Sequence, residues 1–542
     1  MCPMVQWGPS HQTSATPREG GGWKLFVWVT IALAILGITC GAAHHQSTVK
    51  IAAGIGWLVV LALIGIPAGL RARLTRPLRT SGRWLAWRRF GRSRSDAPVD
   101  PLSAVRRTAL AQGGGVYLGQ TDDGMVRHAR SERAVLLLGP PRAGKTSGVI
   151  IPAILSHTGP AVSTSTKPDV AQATRLIRAL GGRVWMFDPT GSTPRSQLEL
   201  RWSPVTSSIW WGGALLMARA LSSRIGAGTT DQTHWSARAQ ALLAPMLHAA
   251  AVHGREMEVV VDWVMRHEID QPGVLLEDQR CSRLAFGSLL GILNTEDRER
   301  SSIFSAAADA LQAYTSEDAL ATAREPNFDP EAFVRSPDTI YIHAPAEQQA
   351  AAAPIVCGLL SEIRRATYTA HGNQQLNCGR VLFALDELSN IAPLEELPQI
   401  ASEGGGQGLL LLAALQDLSQ AHQRWGAQAD GFLTLFGTKL VLPGIADART
   451  LETISQTLGE YDRQIVAHSQ PRTSLLDMFS KQPAPRSSTT YSTQRTRVLS
   501  PGEIANIPAG RALHLDGVRW ELLTLTPAHR VEPWRTLTAI GI

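Results

Sequence analysis

Two stretches of the chain are almost wholly apolar, residues 25–43 (LFVWVTIALAILGITCGAA) and 51–70 (IAAGIGWLVVLALIGIPAGL). Each has about the 20 residues that a helix needs to cross a bilayer core. The pattern therefore predicts a transmembrane hairpin with a seven-residue turn, 44–50, between its arms. A cleaved signal peptide would account for the first run and leave the second unexplained. Beyond residue 130 the pattern changes to short apolar runs of strand type: 134–138 (AVLLL), 161–165 (AVSTS), 183–187 (RVWMF), 380–385 (RVLFAL) and 408–414 (GLLLLAA). Strands like these, apolar throughout and separated by stretches with room for helices, predict an α/β core with a parallel sheet. Residues 205–335 are rich in alanine and leucine with few strand-like runs. Residues 468–500 are rich in Ser, Thr, Pro and Gln and read as a flexible linker. Residues 501–525 look like strands returning to the core.

Charge changes the picture at one place. Residues 71–107 hold eleven arginines against Asp96 and Asp100, a local excess of nine. The formal total is +7, so the rest of the 542-residue chain sums to −2. The basic segment follows the second apolar run, while the turn between the runs carries one lysine. Cytoplasmic flanks collect Lys and Arg, so both termini are expected on the cytoplasmic side of a cell membrane. Trp23, Trp28, Trp57, Trp84 and Trp87 suit the interfaces. A globally basic nucleic-acid-binding face is not indicated. The five cysteines form no Cys-x-x-Cys pair and have no His at zinc spacing, so neither a disulfide framework nor a structural metal is expected.

The candidate chemistry starts where the first core strand ends. Residues 139–146, GPPRAGKT, fit G-x-x-x-x-G-K-[ST] between a strand and a helix. Glycines let backbone N–H groups close on phosphate oxygens, and the following helix N-terminus adds positive potential. Gly139, Pro140, Pro141, Arg142, Ala143, Gly144, Lys145, Thr146 and Ser147 are thus expected to bind ATP, with Lys145 at the β and γ phosphates and the Thr146 hydroxyl on Mg²⁺. A phosphate-binding loop calls for a second strand ending in acids. The run 380–387, RVLFALDE, supplies it. Asp386 is expected to serve the metal and Glu387 to polarise the attacking water. Gln416, at the tip of the 408–414 strand, is placed to sense the γ-phosphate.

Together these residues resemble the TraG/TraD-like conjugative coupling proteins of type IV secretion systems, which share nucleotide chemistry with the HerA and FtsK motors. The resemblance rests on the two-helix anchor, GPPRAGKT, STKPD, FDP, the WSP of 202–204, HWSARAQALLAPML, LDEL and LQDLSQ. It implies a RecA-like P-loop NTPase core with an inserted all-α domain, here 205–335, preceded by the transmembrane hairpin. The domain order is then a tail (1–22), the hairpin (23–70), a basic juxtamembrane segment (71–120), nucleotide-binding parts at 121–204 and 336–467 flanking the insertion, the linker (468–500) and C-terminal strands (501–542). The resemblance further implies an ATPase working as a homo-hexamer around a channel. Its partners would be other secretion-system subunits and transferred DNA, single-stranded with a bound relaxase. One departure stands out. Where the family carries an arginine that reaches the neighbouring subunit's nucleotide, this chain reads ASEGGGQGL, with Gly405 and Gln407 at the expected place; Arg424 and Arg449 are later candidates. A membrane-tethered receptor that uses nucleotide as a switch and a double-stranded DNA pump of FtsK or HerA type remain as alternatives.

Overall fold

In the computed structural model the described residues are 101–193, 196–223, 232–469, 488–517 and 519–539. The tail, the hairpin and the arginine cluster up to residue 100 lie outside them. Among the described residues no helix is long and apolar enough to cross a membrane.

The chain from Val99 onward forms one compact unit built on an eleven-stranded sheet. Its strands are β1 (Tyr117–Gln120), β2 (Val126–His128), β3 (Val135–Leu138), β4 (Ala161–Ser165), β5 (Val184–Phe187), β6 (Thr339–His343), β7 (Val381–Leu385), β8 (Leu409–Leu415), β9 (Thr438–Val441), β12 (Arg511–Asp516) and β13 (Arg519–Thr524). They lie in the order β2-β1-β13-β12-β9-β3-β8-β7-β4-β6-β5. From β9 to β5 every pairing is parallel; β12, β13, β1 and β2 add an antiparallel edge. Every residue of β3, β7 and β8 is buried, because helices cover both faces. Leu136, Phe383 and Leu411 point into one core, and Leu137, Leu382 and Leu412 into the other. Since the seven strands are parallel, their C-terminal ends share one edge, where ligands collect in open α/β sheets. The ends of β3, β8, β7 and β4 stand side by side there.

Among the described residues between β5 and β6 the only pairing to a strand is an isolated bridge from Glu199 to Met186; every element there is a helix, from Pro204–Ser207 to Pro330–Phe333. The WSP triplet fixes where this helical region starts. Ser203 caps the first short helix by accepting the Val205 N–H, and Pro204 needs no donor at its first turn. The indole of Trp202 is buried and donates to Glu362 Oε2 at 2.7 Å. Ser207 donates to the same oxygen. Gly358 makes room, since a Cβ there would stand 2.8 Å from the Trp202 ring. The base of the helical region is thereby pinned to the helix Gln349–Gly372. Burial pushes the Glu362 carboxyl above its ordinary pKa, and the Ser207 and Trp202 hydrogen bonds oppose that.

Two expected boundaries change. Residues 117–120, assigned to the juxtamembrane segment, form β1 and join the sheet through β13; the strand is too short for its alternation to register. The stretch expected to be a flexible linker begins and ends in strands. β10 (Glu460–Ser469) pairs with β11 (Ser488–Arg497) over ten residues, from Glu460↔Arg497 to Ser469↔Ser488, as a separate antiparallel ribbon. Its side chains are largely exposed on both faces, with Tyr491 73% exposed. An apolar–polar alternation is therefore missing, while Thr and Tyr still favour extended backbone. After it, the short helix Pro501–Ala505 starts from a Ser500–Glu503 capping box before β12 and β13 return to the sheet.

Candidate nucleotide site

The loop after β3 turns through two left-handed positions, Arg142 at φ 64° and Gly144 at φ 98°. The first turn of the next helix, Thr146–Ile150, is wide, with the Ile151 N–H given to the Thr146 carbonyl. Pro152 follows and has no N–H to give to the turn behind it. Gly139 is required at the strand end, because a Cβ would approach Leu442 Cβ to 2.8 Å.

Lys145 is buried, and its Nζ donates to the carbonyls of Gly139 at 2.6 Å and Pro140 at 3.2 Å. Burial lowers its pKa; Asp386 and Glu387 pull it back up. Thr146 Oγ1 donates to Asp386 Oδ2 at 2.8 Å. Asp386 is held from behind by Thr164, whose hydroxyl donates to the Asp386 carbonyl at 2.8 Å. Its carboxyl is raised by burial, against the Thr146 hydrogen bond and the Lys145 charge.

Glu387 adopts φ 50°, ψ 41°, a left-handed conformation that costs a non-glycine residue energy and marks functional positions when the surroundings enforce it. Burial raises its pKa first and the Asp386 charge second, opposed by Lys145 and by a side-chain hydrogen bond with Gln416. Gln416 reaches it because β8 lies between β3 and β7. Its backbone N–H is tied to Gln420 Oε1 at 2.9 Å.

These groups open on a cleft of about 650 Å³, a nucleotide-sized volume. Pro141, Arg142, Gly144, Lys145, Thr146, Ser147, Asp386 and Glu387 line it. Gly139 and Pro140 serve instead as carbonyl partners of Lys145, and Ala143 and Gln416 are not among the residues that line it. Lys167 and Asp169, from the STKPD run after β4, line the cleft as well. Gln172, Ala528, His529 and Thr538, also in the lining, were missed. No local pattern marks them, since the last three come from a turn and helix nearly 400 residues from the loop.

The candidates for a trans-acting arginine resolve differently. A Cβ at Gly405 would lie 2.3 Å from the Glu132 carbonyl oxygen, so no side chain fits there without moving backbone. Arg424 donates to the carbonyls of Ser223 and Pro393 at 3.4 and 3.2 Å, and Arg449 pairs with Asp430 at 3.3 Å. Gly405→Ala should therefore destabilise the fold by about 1–3 kcal/mol, read as a lower urea midpoint. Gly406→Ala next to it, with nothing within 4 Å of its Cβ, should change little; equal midpoints for the two would contradict the close approach.

The family model described as Type IV secretory system Conjugative DNA transfer matches residues 92–515. The chain belongs to this family. No curated protein sequence matches it. Among solved structures, the unbound monoclinic form of the bacterial conjugative coupling protein TrwBdeltaN70 aligns with a TM-score of 0.56 at 18% identity, covering 78% of this chain and 91% of that one. The plasmid coupling protein TrwB in complex with ADP and Mg2+ aligns at 0.57 and 19%, over 76% and 89%. Its complex with a non-hydrolysable ATP analogue, ADPNP, aligns at 0.56 and 18%, over 78% and 92%. At this identity the likeness is one of fold, the large, mainly parallel α/β sheet.

Proposed function

We propose that this chain is the membrane-anchored ATPase that couples a DNA substrate and its bound relaxase to a type IV secretion channel in conjugation. One observation carries the reading. In a chain of the conjugative DNA transfer family, the strand-end cleft gathers Lys145, Thr146, Asp386 and Glu387, with Thr146 and Asp386 already in contact.

The donor set fits a magnesium nucleotide. A hydroxyl and a carboxylate side by side are hard oxygen ligands of the kind Mg²⁺ takes one or two at a time, and a buried carboxylate gains from a nearby cation. Thr146 and Asp386 would hold the ion, which when bound neutralises phosphate charge. Lys145 and the loop N–H groups hold the phosphate chain. Glu387, deprotonated, accepts a hydrogen bond from the attacking water and takes its proton, and Gln416 fixes the carboxylate for that task.

Assembly is part of the proposal. We read the working form as a homo-hexamer, because the chain's own charge outside the basic segment, −2, gives little affinity for free DNA. A grip repeated by symmetry around a channel supplies it. ATPase activity per protomer should then rise with protein concentration or on adding single-stranded DNA; activity strictly proportional to concentration from monomer upward counts against the ring. The closed position at Gly405 favours the second reading, a tethered receptor that hydrolyses slowly, and the same titration separates the two by its absolute rate.

The two apolar runs at 25–43 and 51–70 support an anchor of two spans in the cell membrane with both termini cytoplasmic. In a background without native cysteines, a cysteine at Ser47 should react with an impermeant thiol reagent from outside the cell. Labelling at Ser93 instead would invert the topology.

A further inference from the structure

The nucleotide cleft changes character along its length. At one end are Lys145, Thr146, Asp386, Glu387 and Lys167, together with Asp169, whose charge acts on Asp386. The other end is lined by Ile151, Gln172, Ala173, Ala528, His529 and Thr538, none of them an acid or a lysine. The charged end is made for phosphates. The other suits a flat, uncharged group.

That far wall is built in advance. The turn Ala528–Arg530 packs against the first turn after the phosphate loop, Thr146–Ile150, and the helix Trp534–Ala539 packs on the helix Asp169–Ala179 that follows β4. Trp534 is buried and meets Tyr117 edge-on at 5.4 Å between ring centroids. Thr538 is turned back on its own helix, donating to the Trp534 carbonyl at 2.9 Å. His529 is exposed, and neither its ring nor the Gln172 amide has a hydrogen-bond or ion-pair partner among the described residues. The family match stops at residue 515, before Ala528, His529 and Thr538, while Ile151, Gln172 and Ala173 fall inside it.

We propose that the C-terminal turn and helix complete a purine subsite, in which His529 stacks on the base of the nucleotide, Gln172 meets its edge, and Ile151, Ala173 and Ala528 form the apolar floor. The inference rests on the reading of the cleft as a triphosphate site. An aromatic face is a general platform for a base, and a wall fixed before binding adds affinity without an ordering cost.

The test is calorimetric titration of the purified full chain with ATP and, separately, with tripolyphosphate, both with Mg²⁺. Wild type should bind ATP more tightly than tripolyphosphate. His529→Ala should lose about tenfold in ATP affinity, the ordinary worth of one base–aromatic stack, while tripolyphosphate affinity stays within twofold. His529→Phe should recover the ATP affinity, and Gln172→Ala should lose a smaller part of it. Unchanged ATP binding in His529→Ala, or parallel losses for both ligands, overturns the subsite while leaving the phosphate site standing. Wild type that binds both ligands equally overturns it too. If wild type binds neither, the phosphate reading fails and the subsite fails with it.

Discussion

Glu387→Gln is expected to keep ATP binding and to slow steady-state hydrolysis by about 10²- to 10⁴-fold, the usual worth of a positioned general base. The substitution is nearly isosteric, so the contact between Thr146 and Asp386 and the cradle of Lys145 stay in place. What disappears is the group that takes the water's proton. The raised pKa of Glu387 adds a second readout. A carboxyl raised in the folded chain must still be deprotonated to act, so activity should fall as pH drops through a value above the ordinary glutamate range of about 4.3. A raised folded pKa also means that the ionised form opposes folding at neutral pH. The neutral variant should therefore melt at the same temperature or higher. Equal ATPase rates in wild type and variant remove Glu387 from the chemistry.

Lys145→Ala should weaken ATP binding by roughly 10- to 100-fold, because hydrogen bonds to a charged partner contribute about 1.5–3 kcal/mol each. It also leaves the Gly139 carbonyl without the donor Lys145 supplies, at a cost of about 1–3 kcal/mol in stability, while the Pro140 carbonyl keeps the Ala143 N–H. Thermal melts read both effects together. The variant should melt lower than wild type, and ATP with Mg²⁺, which raises the melting temperature of wild type by mass action, should raise that of the variant much less. An equal ATP-induced shift in the two proteins would place the phosphates elsewhere.

The central strands were legible because a parallel sheet buried on both faces writes its strands as continuous apolar runs. β3, β7 and β8 fall within one residue of the runs read for them. The chemical groups at their tips were legible for a related reason: loop, acids and amide each sit directly after such a run, and the sheet order then brings Gln416 between Lys145 and Glu387. The β10–β11 ribbon was not legible, since without a buried face no alternation is selected and Ser, Thr and Gln read as loop. The far wall of the cleft was hidden by distance along the chain: nothing in the sequence around His529 connects it to Thr146. Gly405 carried a signal that could be seen and not interpreted. The absent side chain was evident, and only the Glu132 carbonyl against it explains why none can be there.

The central claim, that this cleft powers conjugative DNA transfer, is tested most directly by transfer frequency of the mobile element from donors in which the gene is deleted. Deletion should reduce transfer to background, wild type supplied in trans should restore it, and Glu387→Gln, expressed at the same level, should not. Transfer at the normal rate in the deletion, or full rescue by Glu387→Gln, would contradict the account.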